Sequence, residues 1–400
     1  MLHSTTFKYI SNISITIGDT TMTYKSKFGF GCMRLPLTDE NDPTSVDQEL
    51  FNQMVDKYME KGFNYFDTSY AYHGGTSETA IRKAVVERYP RESYQICDKM
   101  PTWALTSEED NDKFVNEMLE RLSIDYFDVF FIHNINVPWL KLAEKSNTFE
   151  YVKKMKEDGV ARKIGFSFHD DSKLLKKVLD KYGDFLDIVQ LELNYLDWED
   201  PSIEARKCYE LCVEHDIDVY VMEPLKGGVI VNLPDEIKND FEEFNPDKSI
   251  ASLAIRFCAS LDNVKMVLSG MSKMSDLDDN IDTFENFEPL TASESEFLEN
   301  MALKLREKVA VPCSECGYCI DACPEMIPIP EYFNIYNISK NQPQSNIYRL
   351  YYDKLGDEKV PASECTYCGT CIEHCTQKID IPEELEKLCE HFEEGFSPYG

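Results

Sequence analysis

The chain has 400 residues, 42% of them hydrophobic and 12% aromatic, and a net charge of −32. That much apolar material builds a large core and excludes wholesale disorder. The acidic balance repels phosphate backbones and anionic lipid, which argues against a nucleic-acid or membrane-surface partner and favours a small-molecule one.

The first 25 residues hold no apolar stretch of the kind that leads a secreted chain. No run reaches the ~18 apolar residues of a membrane span. Ile13–Tyr24 alternates apolar and polar residues around Gly18-Asp19 and predicts a β-hairpin. From Phe28 to Ile281, apolar runs alternate with amphipathic stretches. The predicted strands are Phe28–Met33, Asn64–Thr68, Tyr94–Lys99, Phe127–His133, Lys163–Phe168, Ile188–Leu193, Asp218–Met222 and Val264–Ser269. Between them, Leu50, Met54, Val55 and Tyr58 recur at helical spacing, as do Phe114, Met118, Leu119 and Leu122. Eight such alternations predict an α/β fold, a closed (β/α)8 TIM barrel, with the hairpin placed to plug its floor. An open doubly wound sheet is the alternative, but no G-x-G-x-x-G follows the first strand. Glu294–Lys308 reads as a further helix, and composition changes at Val311-Pro312. The expected domains are therefore 1–310 and 311–400, the second ending in an acidic, helical Glu383–Glu394.

Eight of the 14 cysteines fall in two runs: Cys313-x2-Cys316-x2-Cys319-x3-Cys323-Pro324, then Cys365-x2-Cys368-x2-Cys371-x3-Cys375, 52 positions on. This is the spacing of [4Fe–4S] ligands, in which the fourth cysteine of each run serves the other cluster. Cys313, Cys316, Cys319 and Cys375 are expected to hold one cluster, and Cys365, Cys368, Cys371 and Cys323 the second. Zinc also uses C-x2-C pairs, but four cysteines per run exceed a tetrahedral site. The segment 312–382 resembles a two-cluster ferredoxin domain. It departs in placing Thr376 where a second proline is usual, and in its 41-residue insert with helical patterns at Tyr332–Ile338 and Tyr348–Leu355. It is closer to the helical ferredoxin modules of multi-subunit reductases. Cys32, Cys97, Cys208, Cys212, Cys258 and Cys389 read as buried thiols. Cysteine usage of this kind points to a reducing, cytoplasmic compartment.

Catalytic groups of such barrels sit at the C-terminal ends of strands. Those ends offer Asp67, Lys99 and His133, with Tyr72 in the loop after Asp67. The four form a proton-transfer group. A phenol near pKa 10 shuttles protons poorly at neutral pH. The Lys99 ammonium is expected to lower it, Asp67 to keep Lys99 charged, and His133 to orient a carbonyl. Met33, His73, Trp103, Asn134, Trp139 and Tyr195 lie in loops beyond the strand ends, where they either line an aromatic pocket or pack under the loops.

The pieces Phe66–Tyr72, Asp98-Lys99, Asp128–His133, Ile164–Ser167, Val189-Gln190 and Glu223–Gly228 stand in order and at spacings that resemble the aldo/keto reductase family, over residues 10–285. The resemblance implies NAD(P)H-dependent reduction of an aldehyde, ketone or quinone with Tyr72 as general acid. It implies that Ser167 and Gln190 hold the nicotinamide carboxamide and that Leu225, Lys226, Gly227 and Gly228 line the pyrophosphate. Gly270, Asp276 and Asn280 are the remaining cofactor contacts expected. Met222 stands where the family often has a stacking tyrosine, and Asp276 where it has an arginine for a 2′-phosphate. A carboxylate there points to NADH over NADPH.

A hydride carries two electrons and a cluster transfers one, so a direct handoff calls for a flavin, for which no motif is seen. The clusters are structural, or pass electrons to or from a redox partner protein, or sense redox state. The alternative function is a nucleotide-binding electron-transfer or redox-sensing subunit with a slow inherited tetrad, as in potassium-channel β-subunits that resemble this family.

Overall fold

The computed structural model describes residues 14–17, 20–23, 26–40, 42–201, 203–341 and 347–393. β1 (Ser14–Ile17) and β2 (Thr20–Thr23) pair antiparallel, Ser14 opposite Thr23, as the alternation predicts. The Gly18-Asp19 turn, Ile13 and Tyr24 lie outside the described residues.

The eight predicted strands form one closed parallel barrel in the order β10-β3-β4-β5-β6-β7-β8-β9. They are β3 (Phe28–Gly31), β4 (Tyr65–Asp67), β5 (Gln95–Met100), β6 (Phe127–Ile135), β7 (Ala161–Phe168), β8 (Ile188–Glu192), β9 (Asp218–Met222) and β10 (Val264–Gly270). Most of these residues are buried, as expected where side chains fill the barrel on one face and meet helices on the other. Tyr65, Cys97, Val129, Phe131, Ile188, Tyr220, Met266 and Leu268 pack together inside the barrel.

Helices close around it by local rules. In Gln48–Glu60 the buried stripe is Phe51, Met54, Val55 and Tyr58, and Asp47 caps the helix by accepting from the Leu50 N–H. Phe51 thus takes the core position that periodicity assigns to Leu50. Glu109–Leu122 buries Phe114, Met118 and Leu122, as its spacing predicts. The last helix of this part, Ala292–Lys308, opens with a reciprocal cap between Thr291 and Glu294.

The C-terminal region is helical, with Ile329–Asn341, Ile347–Glu358 and Ile381–Phe392 around a core of its own: Tyr332, Phe333, Tyr352, Leu385, Leu388 and Phe392. The two cysteine runs repeat in three dimensions. Each has a left-handed residue after its first cysteine (Glu315, φ 56°; Tyr367, φ 54°) and a left-handed glycine (Gly317, φ 81°; Gly369, φ 74°). Each glycine precedes a short helix, Tyr318–Ala322 or Thr370–His374. The left-handed turns wrap the chain tightly enough for sulfurs three apart to face one space. No helix among the described residues is long and apolar enough to cross a membrane.

Candidate active site

The barrel register brings neighbouring strand ends together. Asp67 pairs with Gly31 and Cys97, and Lys99 with Phe131. Lys99 is wholly buried. Its Nζ donates to Asp67 Oδ1 and, at 2.6 Å, to the Thr68 carbonyl. The other Asp67 oxygen accepts from Gln190 Nε2 at 3.1 Å. Tyr72 begins the turn that follows β4. The Lys99 nitrogen stands 5.1 Å from the centre of its ring, and the His133 ring centre is 5.9 Å away. All four residues of the expected group therefore meet at one place.

Their protonation follows from this packing. Burial, the largest effect, disfavours the Lys99 ammonium, but Asp67 with Cys97 and Asp98 together outweigh it and hold the pKa above its ordinary value. Burial, reinforced by Lys99 and His169, pushes His133 well below the usual imidazole range, so the ring is neutral. Its Nδ1 shares a 2.9 Å hydrogen bond with Ser69 Oγ. Tyr72 departs from expectation: burial first, then Asp67, Cys97, Glu223 and Asp98, raise its phenol well above 10. The Lys99 charge is largely spent on Asp67, whose carboxylate in turn opposes a phenolate. The phenol therefore keeps its proton at neutral pH, a state suited to giving a proton up only as an oxyanion forms.

Tyr72, Asp67, His133 and Gln190 face a cavity of about 530 Å³ at the barrel mouth. Leu225, Gly227, Gly228, Gly270, Asp276 and Asn280 line its extension between the loop after β9 and the helix after β10, as do Met33 and Met222. Two expected cofactor contacts are not on that surface. Ser167 is buried, and its Oγ accepts from the Asn134 N–H at 2.7 Å. Lys226 is buried with its ammonium turned onto Asp197, at 2.7 and 2.8 Å, and onto Gln377 Oε1. Asp276 accepts from the Lys273 N–H at 3.2 Å and so also caps the helix Met274–Glu285. Asn280 Nδ2 donates to Ser269 Oγ at 2.8 Å. Trp103 packs on His133 at 5.1 Å and on Trp139 at 5.6 Å, and Trp139 on His374. His73 accepts from the Leu35 N–H through Nε2, and Tyr195 belongs to a separate core with Leu298 and Leu305.

The far wall of the cavity comes from the C-terminal region: Cys316, Tyr318 and Thr376. Arg34, also on the cavity, donates to the Ser314 carbonyl at 3.0 Å. Gln377 donates to Glu192 while accepting from Lys226. Lys378 pairs with Asp170 at 3.0 Å. Burial pushes Glu223, at the end of β9, up to about 7, against the pull of Arg34. Arg34 and Tyr318 carry no signal in the sequence, and Thr376 shows only as the residue in place of a proline, because what they face lies far along the chain.

The cysteines of the two runs lie near one another across the repeat. After burial itself, the neighbours that raise the Cys319 thiol are Cys316, Cys313 and Cys375 first, and then Cys371 of the other set. For Cys371 they are Cys365, Cys323 and Cys368. Cys323, Cys365, Cys368 and Cys371 line one small cavity. Backbone N–H groups of Glu315 and Ile379 donate to Cys313 Sγ and Cys375 Sγ, both at 3.4 Å, as thiolate ligands of a cluster require. Among the described residues no three His, Cys, Asp or Glu converge to hold a single ion. The donor chemistry fits cubanes, four cysteines to each, and the second set shares one cavity. The first set adjoins the catalytic cavity through Cys316, and the second reaches the surface through exposed Cys368. The other six cysteines are buried.

Comparison with known proteins agrees with this architecture. The model of the aldo/keto reductase family matches residues 27–302, and that of a 4Fe–4S dicluster domain matches 312–379. An uncharacterised oxidoreductase of Bacillus subtilis, YqkF, is 25% identical over 69% of this chain and 92% of its own length. An Arabidopsis thaliana protein named L-galactose dehydrogenase is 25% identical over 66% of this chain and 86% of its own. The solved holo form of an aldo-keto reductase from Bacillus halodurans superposes with a TM-score of 0.57 at 22% identity, over 73% of this chain and 96% of that one. Fold, match and strand-end chemistry agree: the chain belongs to the aldo/keto reductase family of NAD(P)-dependent oxidoreductases and carries a 4Fe–4S dicluster domain behind its barrel.

Proposed function

We propose that the protein reduces the carbonyl of an aldehyde, ketone or quinone at the cavity beside Tyr72, with NAD(P)H as donor. The observation that carries this is the meeting of Tyr72, Asp67 and His133 at the cavity wall, with buried Lys99 against Asp67 and the Tyr72 ring. A bound nicotinamide would supply a hydride to the carbonyl carbon. Tyr72 gives its phenolic proton to the oxygen, so the carbonyl gains two electrons and two hydrogens and becomes an alcohol. Asp67 holds Lys99 as an ammonium, and Lys99 stabilises the phenolate as it forms. Neutral His133, its Nδ1 engaged with Ser69, donates through Nε2–H to the substrate oxygen without carrying charge. Gln190 is free to hold a carboxamide with its carbonyl oxygen, since its nitrogen serves Asp67.

NADH is the favoured donor, because Asp276 repels a 2′-phosphate. The name of an Escherichia coli relative, NADH-specific methylglyoxal reductase, 28% identical over 42% of this chain, is in keeping with that reading. We place the boundary between barrel and cluster domain near residue 310 and the protein in the cytoplasm.

The same cavity supports an electron-transfer role for the two clusters. Their domain has an apolar core of its own, so metal is not its sole support. Their ligands run from exposed Cys368 to Cys316 at the cavity, a path from a one-electron partner protein to the substrate. The test is anaerobic NADH oxidation with aldehydes, ketones and quinones. Tyr72→Phe should lower kcat by about 10²–10⁴-fold. Equal turnover in that variant would leave the alternative, a nucleotide-binding redox subunit, as the function.

A further inference from the structure

Tyr318 stands in the cluster-binding loop between Cys316 and Cys319, yet its side chain lines the catalytic cavity. It lies beyond residue 302, where the family's barrel ends. Tyr72, the proton donor, lines the same cavity, as do Cys316 and Glu223. Its backbone is pinned. It is the first residue of a short helix, preceded by left-handed Gly317 and flanked by two cluster ligands.

The repeat shows that the loop itself does not need a tyrosine there. At the equivalent position of the second run, 52 residues on, stands Thr370, exposed and not on this cavity. The loop turns, helix starts and left-handed residues match between the runs. What differs is what the residue faces.

We infer that Tyr318 is a specificity-determining residue: its ring and that of Tyr72 form two walls of a slot that selects flat, conjugated carbonyl substrates, of the quinone class, over small aliphatic aldehydes. This rests on the carbonyl-reduction reading and names its substrate class. The other walls suit such a substrate. His133 presents a ring edge-on to Tyr72, backed by Trp103, and Met33, Met222 and Leu268 add apolar, adaptable surface. Aromatic faces gain by offset stacking with a planar π system and gain little from a short alkyl chain. A wall built into the ligand loop also places the bound substrate beside Cys316.

The test uses holoenzyme under anaerobic conditions, with iron content measured for every variant. NADH-driven kinetics are compared on 1,4-naphthoquinone and propanal, and binding of the non-reducible 2-naphthol is read by calorimetry. Tyr318→Leu should lower the ratio of kcat/KM for naphthoquinone over propanal by about 3- to 10-fold, chiefly through KM. Its 2-naphthol affinity should fall by a similar factor. Tyr318→Phe, which keeps the ring, should retain both. An unchanged ratio with unchanged 2-naphthol binding overturns the assignment, as does Tyr318→Phe behaving like Tyr318→Leu. Should Tyr72→Phe turn over like the wild type, the carbonyl-reduction reading fails on its own, and 2-naphthol binding still decides for or against the slot.

Discussion

Gly227 has no side chain because the carbonyl of Ser314 fills the space where one would be: a Cβ built on it overlaps that oxygen. The glycine is also left-handed, φ 62°, and Arg34, which donates to the same carbonyl, closes the other side. The glycine that the sequence assigns to a pyrophosphate is thus also required by the seam between barrel and cluster domain. Gly227→Ala should cost about 2–4 kcal/mol, from backbone strain together with overpacking. Urea unfolding checks this, and a variant as stable as the wild type would mean that the two backbones separate freely.

Lys226 tells the same story by charge. Its buried ammonium answers two buried carboxylates, Asp197 and, at 3.6 Å, Glu192, and reaches Gln377 across the seam. Lys226→Met should strand both carboxylates and cost about 3–5 kcal/mol. NADH affinity, measured by titration, should stay within about twofold, because the ammonium points away from the nucleotide extension of the cavity. A stable variant with affinity lowered about tenfold would instead return Lys226 to the phosphate.

The raised pKa of Tyr72 has a kinetic signature. A phenol lowered by Lys99 would ionise near neutrality and take kcat/KM down with it as pH rises. With the phenol held high, kcat/KM for carbonyl reduction should show no loss from this group between about pH 6 and 9. His133, neutral across the same range, adds no limb. A pH–rate profile that falls with an apparent pKa near 7 in the wild type, and not in Tyr72→Phe, would contradict the arrangement of charges around Asp67.

What the sequence made legible depended on how far apart the partners lie. The barrel strands were visible because burial on both faces writes short apolar runs, as in Val129–Ile132 of the strand Phe127–Ile135. Asp67, Lys99 and His133 were visible because a closed parallel barrel puts strand ends at one mouth. The cluster ligands were visible because three of each four are local. The seam was not. Ser314 and Gly227 are 87 positions apart and Gln377 and Lys226 are 151, and neither pair follows a period or motif. The Tyr72 shift was missed because its largest cause is burial, which depends on the packed loops around the ring, with Asp67 opposing the phenolate next.

Two carboxyl groups that the proposed chemistry does not use, Glu78 and Asp98, lie buried against each other beneath the site. Burial raises Glu78 to about 7, with Arg121 pulling it down at 2.8 Å, and burial and Glu78 raise Asp98. The folded state therefore binds a proton that the unfolded chain, with Glu78 near 4.5, has already lost. Where the native state binds more protons, stability falls as pH rises. The loss begins near the unfolded value and is complete above the folded one, a window from about pH 4.5 to 7. Glu78→Gln keeps the shape and an amide oxygen that can accept from Arg121, but has no proton of its own to lose. Relative to the wild type it should therefore gain about 1–3 kcal/mol between pH 5 and pH 8. Urea unfolding at the two pH values reads the difference, and a constant offset would show that the two acids do not share a proton in the folded state.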